Sequence, residues 1–223
     1  VASPGELVRK LSELLGIPEP TIVLHDRNLV IAGLRSKTGR GKSAARMTAR
    51  DAAHLLIAVL GSSQVKDSVE TVRRYRETRF IKIVSGGYDD SASAVLRDLP
   101  PDHSFVDAIE ALVAAAADGS LAIAMRVIEA EVEGKKIGYN AVIEITVQTP
   151  GELGDIAIRG RASGHGRYAL PSPFNQHFPL RPSAEEVEAW KQKLNDDYVD
   201  GDLTQYRRIT DKTILELGQL LRR

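Results

Sequence analysis

The feature that most limits what this chain can fold into is a change of hydrophobic period along its length. Through residue 76, apolar side chains recur at helical spacing: Leu7, Leu11, Leu14 and Leu15, then Ala52, Leu55, Leu56, Val59 and Leu60, then Val65, Val69 and Val72. Beyond residue 125 they alternate instead. Ile128, Ala130 and Val132 interleave with Glu129, Glu131 and Glu133, and Ala141, Ile143, Ile145 and Val147 share one side of Tyr139–Gln148. A 3.6-residue period lays an apolar stripe along a helix, and a two-residue period lays an apolar face along a strand. The expected class is α+β, with a helical N-terminal region followed by an antiparallel β-meander packed with helices.

Local signals divide the chain further. Pro4–Gly16 reads as a helix capped by Ser3 and stopped by Gly16. Thr21–Leu34 admits two readings. As a helix, Pro20 lies in its first turn, Ile22, Leu29 and Ala32 face inward, and Asp26 sits at the edge. As a hairpin, Thr21–Leu24 and Leu29–Ile31 are strands, which the β-branched Ile22, Val23, Val30 and Ile31 favour. Thr48 opens a helix with capping-box spacing to Asp51, and Gly61 ends it. A helix over Gln64–Arg76 follows. Phe80–Val84 is a strand candidate and Ser104–Ala117 a helix. Arg126–Glu133 and Tyr139–Gln148 form a hairpin about Gly134-Lys135-Lys136, with Ile156–Arg159 as a third strand. Ala162–Pro182 reads as a loop rich in Gly, Ser and Pro, and helices are expected at Ser183–Lys193 and Ile209–Arg222.

The net charge of zero hides an asymmetry. Residues 1–80 carry 14 Lys and Arg against 8 Asp and Glu, and residues 81–223 carry 16 against 22. Between Arg35 and Arg50 there are six basic residues and no acid: Arg35, Lys37, Arg40, Lys42, Arg46 and Arg50. A dense field of one sign is what a polyanion-binding surface requires, although a solvated basic loop has the same composition.

The stretch Leu11–Leu34, LSELLGIPEPTIVLHDRNLVIAGL, resembles helix-turn-helix DNA-binding domains over roughly residues 4–60. The resemblance implies a supporting helix, a turn after Leu-Leu-Gly-Ile, and a recognition helix from Thr21 to Leu34. In winged members a basic, glycine-bearing wing follows, and Arg35–Lys42 stands in that place. It further implies that Thr21, Arg27 and Asn28 face the groove, where Arg can pair with guanine and Asn with adenine. Arg35, Lys37, Arg40, Lys42 and Arg46 would meet phosphates or enter a minor groove, with Gly39 and Gly41 allowing close approach. Leu24 and Ile31 also face outward on that helix, which departs from the usual groove-reading surface.

The remaining motifs exclude more than they suggest. Without cysteine there are no disulfides, thiolate metal sites or thiol nucleophiles. Gly41-Lys42-Ser43 lacks the glycine five residues earlier that a phosphate-binding loop needs, since Ser36 stands there. The relaxed dinucleotide pattern from Gly39 to Ala44 lacks a βαβ context. His25, His54, His103, His165 and His177 fall in no metal-ligand spacing. Glu129, Glu131 and Glu133 suit the wet face of a half-buried sheet. No apolar run approaches the ~20 residues of a membrane span, and the N-terminus shows no targeting pattern.

The sequence thus points to a cytoplasmic, sequence-specific DNA-binding protein, a transcriptional regulator. Residues 1–78 would form the DNA-binding region and residues 79–223 an α+β region for dimerisation or partner binding. Double-stranded DNA and a second copy of the chain are the expected partners. No catalytic centre, metal, cofactor, membrane or small-molecule ligand is indicated. The alternative is an assembly factor whose basic face meets an acidic protein.

Overall fold

The computed structural model describes residues 2–36, 46–83, 91–125, 130–132, 135–137, 142–149, 153–159, 164–169 and 205–222. Helix α1 spans Pro4–Leu15. Ser3 accepts from the Glu6 amide, and the Glu6 carboxylate accepts from the Ser3 amide at 2.7 Å, completing a capping box. Gly16 ends the helix in the left-handed region at φ 65°, where a side chain would be strained. After a turn over Gly16–Pro18, helix α2 spans Glu19–Ile31. Thr21–Leu34 is therefore helical over most of its length and is not a hairpin. Pro20 fits the first turn, where its missing N–H costs nothing, and Ile22, His25 and Leu29 are buried along one side. Packing of that side outweighs the strand propensity of the β-branched residues.

Helix α3, Ala49–Gly61, starts at Thr48 with a second capping box, and every residue from Asp51 to Gly61 is buried. It lies against α2, against α4 (Ser68–Glu77), α6 (Phe105–Asp118) and α8 (Asp211–Arg222), and against two strands. A 3-10 turn over Val65–Asp67 precedes α4. The short helices α5 and α7 cover Ser91–Arg97 and Ser120–Ala124. At the far end of α3, Arg207 Nη1 lies 2.9–3.2 Å from the carbonyls of Val59, Leu60 and Ser62, supplying donors that the last turn lacks.

The main sheet has five antiparallel strands in the order β1-β6-β5-β4-β7. These are β1 (Arg79–Ile83), β4 (Val142–Thr149), β5 (Leu153–Arg159), β6 (Gly164–Ala169) and β7 (Gln205–Thr210). Strands β4, β5 and β6 form a meander in which only the β4–β5 pair was expected, flanked by the early strand β1 and the late strand β7. Ile143, Ile145 and Val147 form the buried face of β4, with Ile158 opposite Ile143 and Ile156 opposite Ile145. Gly154 passes beneath Phe105 so closely that a Cβ there would lie 2.5 Å from the ring.

Three expectations are corrected. The strand around Val132 does not pair with Tyr139–Gln148. Strands β2 (Ala130–Val132) and β3 (Lys135–Ile137) pair with each other as a separate two-stranded sheet, with Val132 opposite Lys135. Gly164–Ala169 was expected in a loop and is a strand, paired on both sides. Residues 205–208, given no element, and Ile209–Thr210, expected in the last helix, form an edge strand. The expected helix Ser183–Lys193 lies outside the described residues.

Side chains from both sides of residue 78 join one hydrophobic core, which runs from Leu7 and Leu11 through α3 and α6 to Ile156, Ile214 and Leu217. Among the described residues, no helix is long and apolar enough to cross a membrane.

Candidate nucleic-acid interface

The basic stretch begins with an arginine that faces inward. Arg35 is buried, its Nε lies 2.5 Å from Asp26 Oδ1, and its Nη2 donates to Asp26 Oδ2 at 2.8 Å. Its Nη1 donates to the Ser36 carbonyl at 2.7 Å. This guanidinium pins the chain leaving α2 to α2 itself and is not presented to a phosphate. One hydrogen bond and one close ionic contact, the latter without hydrogen-bond geometry, hold the two groups together.

Asp51 then ties the two flanks of the basic segment together. Its Oδ1 accepts from the Ser36 amide at 2.9 Å, and its Oδ2 accepts from the Thr48 amide at 3.0 Å and hydroxyl at 2.8 Å. The Ser36 hydroxyl adds a longer bond at 3.2 Å. Burial pushes the Asp51 carboxyl pKa up. The donors of Ser36 and Thr48 more than offset this, and the pKa ends below the ordinary carboxylate range. Residues 37–45 thus leave from and return to one anchored point. Lys37, Arg40 and Lys42 lie within that segment, outside the described residues. Arg46, on the returning side, is exposed, and the neighbouring Met47 is buried.

A cleft of about 480 Å³ opens at this anchor, with Ser36, Thr48, Arg50, Asp51, His54 and Arg76 among its lining. A second, of about 640 Å³, shares Arg50 and Arg76 and continues to Arg79 and His103. Arg50 is engaged toward α6, at 2.6 Å from Glu110 and 3.1 Å from Asp107. Burial lowers its pKa, but these carboxylates more than offset that and raise it. Arg76, near the end of α4, is exposed and pairs with no described acidic side chain. The Nδ1 of His54 lies 2.5 Å from the Leu34 carbonyl, which can only accept, so Nδ1 carries the proton. Its Nε2 is buried without a hydrogen-bond partner. Burial, assisted by Arg76 and Arg50, lowers the His54 pKa despite the Leu34 bond, leaving a neutral ring.

The expected base-reading residues are not brought together. Thr21 is half-buried in the first turn of α2 and Arg27 is exposed. Asn28 turns inward and donates its amide to the Val65 carbonyl at 2.9 Å, holding the turn ahead of α4. The anchoring role of Asp51 and the cationic contribution of Arg76 went unrecognised in the sequence. The capping-box spacing from Thr48 to Asp51 signalled the helix start, and no local pattern signalled the bond to Ser36.

Among the described residues, no group of three or more His, Asp or Glu side chains is placed to hold a metal ion. No protein-family model, curated protein or solved structure matches this chain.

Proposed function

We propose that the protein binds double-stranded DNA, as a transcriptional regulator, through the cations of residues 37–46 and Arg76 beside them. The observation that carries this reading is the anchoring of the basic segment. Ser36 and Thr48, its two flanks, are held by one carboxylate at the rim of a cleft that Arg50 and Arg76 line. A cationic segment with a fixed root suits phosphate contact, because the rigid base positions the charge while the segment follows the duplex. Three of the nearby acids are already engaged, Asp51 by hydrogen bonds and Asp107 and Glu110 by Arg50.

The finer reading is a winged helix-turn-helix. It draws support from α1, the left-handed turn at Gly16 and α2, followed directly by a basic segment in the place of a wing. In this version the wing, rather than α2, makes the principal DNA contact. The inward Asn28 favours that assignment, and the burial of Arg35 leaves the wing contact to the cations that follow it. Recognition then rests more on groove width than on base edges, and a narrow A·T-rich minor groove is the preferred site for inserted arginines.

The test is retention of mixed genomic DNA fragments by the purified protein across a salt series, with sequencing of what remains at the highest salt. Enrichment of a discrete, A·T-rich set is expected. No retention at low salt overturns the proposal and assigns the basic segment to an acidic protein.

A further inference from the structure

Helix α2 is apolar on both sides. Its inner side buries Ile22 and Leu29, while its outer side leaves Val23, Leu24 and Ile31 at 45%, 48% and 72% exposure. They are three of the six exposed large apolar side chains among the described residues, so half of these residues sit on one helix. A helix apolar all round is ordinarily buried, and clustered exposed aliphatic groups mark a contact surface. The same outer side carries one acid, Glu19, and one base, Arg27. Eight residues separate them, about 12 Å along the axis. At 100° per residue, Arg27 falls between Val23 on one flank and Leu24 and Ile31 on the other.

We propose that α2 is a homodimer face, on which two copies pair antiparallel about a two-fold axis beside Val23 and Leu24 and each Arg27 reaches the partner subunit's Glu19. A two-fold axis matches residue i to j and j to i. With that axis, position 27 stands level with position 19 of the opposite helix. Among the described residues neither charge has another ionic partner, and Val23 and Leu24 cover their counterparts at the centre. Ile31 extends over the Gly16–Pro18 turn of the partner subunit. An unpaired Arg27 enclosed by aliphatic side chains would carry a large desolvation cost, which the Glu19 carboxylate offsets. Parallel pairing would oppose Arg27 to itself. An acidic partner would face Glu19, and a DNA groove would set Glu19 and three aliphatic side chains against phosphate. The chain's zero net charge adds no general repulsion between copies. One helix pair is small beside the roughly 800 Å² per partner of a standard interface, so the dimer is reversible and weak.

Sedimentation velocity on the full chain, from low-micromolar to near-millimolar protein, tests the proposal. A concentration-dependent monomer–dimer equilibrium is expected. Leu24→Asp and Arg27→Glu should each weaken it at least about tenfold. Adding Glu19→Arg to Arg27→Glu should restore it, because the pair is then reversed and intact. These side chains are exposed, so thermal unfolding of the dilute variants should match the parent and verify that they fold. A monomer at every concentration overturns the proposal. So does a dimer indifferent to these changes, or a double variant weaker than Arg27→Glu alone.

Discussion

Helices α2 and α3 are both thirteen residues long and both rich in aliphatic side chains, yet the fold treats them differently. Helix α3 sits between α2, α4, α6, α8 and the sheet, and every residue from Asp51 onward is buried. Helix α2 packs on one side only and leaves three aliphatic residues outside. Each carries a buried histidine bonded through Nδ1, His25 to the Ser68 hydroxyl at 2.8 Å and His54 to the Leu34 carbonyl at 2.5 Å. The difference therefore lies in what surrounds each helix more than in its composition. Apolar residues of α3 are consumed by the chain's own core, and those on the outside of α2 remain for another surface. The basic segment joins the two, rooted on the first turn of α3 and on Asp26 of α2.

The largest way to break this contrast is to truncate α3. Leu56 is fully buried, and Leu56→Ala should cost about 2–5 kcal/mol, read from the urea midpoint at constant m-value. Acid should act next, through α2. The His25 pKa is lowered to about 4, chiefly by burial and also by Arg207. The folded state thus holds this ring neutral where the unfolded chain protonates it. Its stability contribution is present above pH 6.5 and is lost as pH falls toward about 4. The loss should approach about 3 kcal/mol across that window, and it should flatten in His25→Gln. An unchanged pH dependence in that variant would contradict the buried neutral ring.

Asp51→Ala should cost about 2 kcal/mol, since it removes one half of a capping box and leaves the Ser36 and Thr48 amides without their acceptor. Because the segment loses its root, DNA affinity should fall in the same variant although no cation is removed. A variant of unchanged stability would show that Asp51 does not hold these flanks. The smallest effect sharpens the comparison most: Leu24→Ala should change the stability of dilute protein by no more than about 0.5 kcal/mol. A loss near that of Leu56→Ala would place Leu24 inside the folded monomer.

Much of the helical part was legible because its signals are local. Ser3 and Thr48 announce α1 and α3, and Ser104 opens α6, each three residues ahead of an acid that completes the cap. The alternation of Ile143, Ile145 and Val147 identified β4 for the same reason. Strand order was not legible. The edge strand β7, Gln205–Thr210, shows no alternation and pairs with the distant β4, and the glycine-bearing β6 is held between its neighbour β5 and the distant β1. The candidate site failed in sequence at the same kind of place. Arg35 and Asn28 suit phosphate or base contact by residue type, and what turns them inward is Asp26 for one and the Val65 carbonyl for the other. Only the fold brings those acceptors into reach.

The most direct test of DNA binding through the basic segment is the salt dependence of affinity for one duplex, compared between the parent and Arg40→Ala/Lys42→Ala. Each phosphate contact contributes about 0.9 to the slope of log affinity against log salt. The account predicts that the double variant binds more weakly to every sequence and that its slope falls by about two. An unchanged slope, with unchanged affinity, would contradict it.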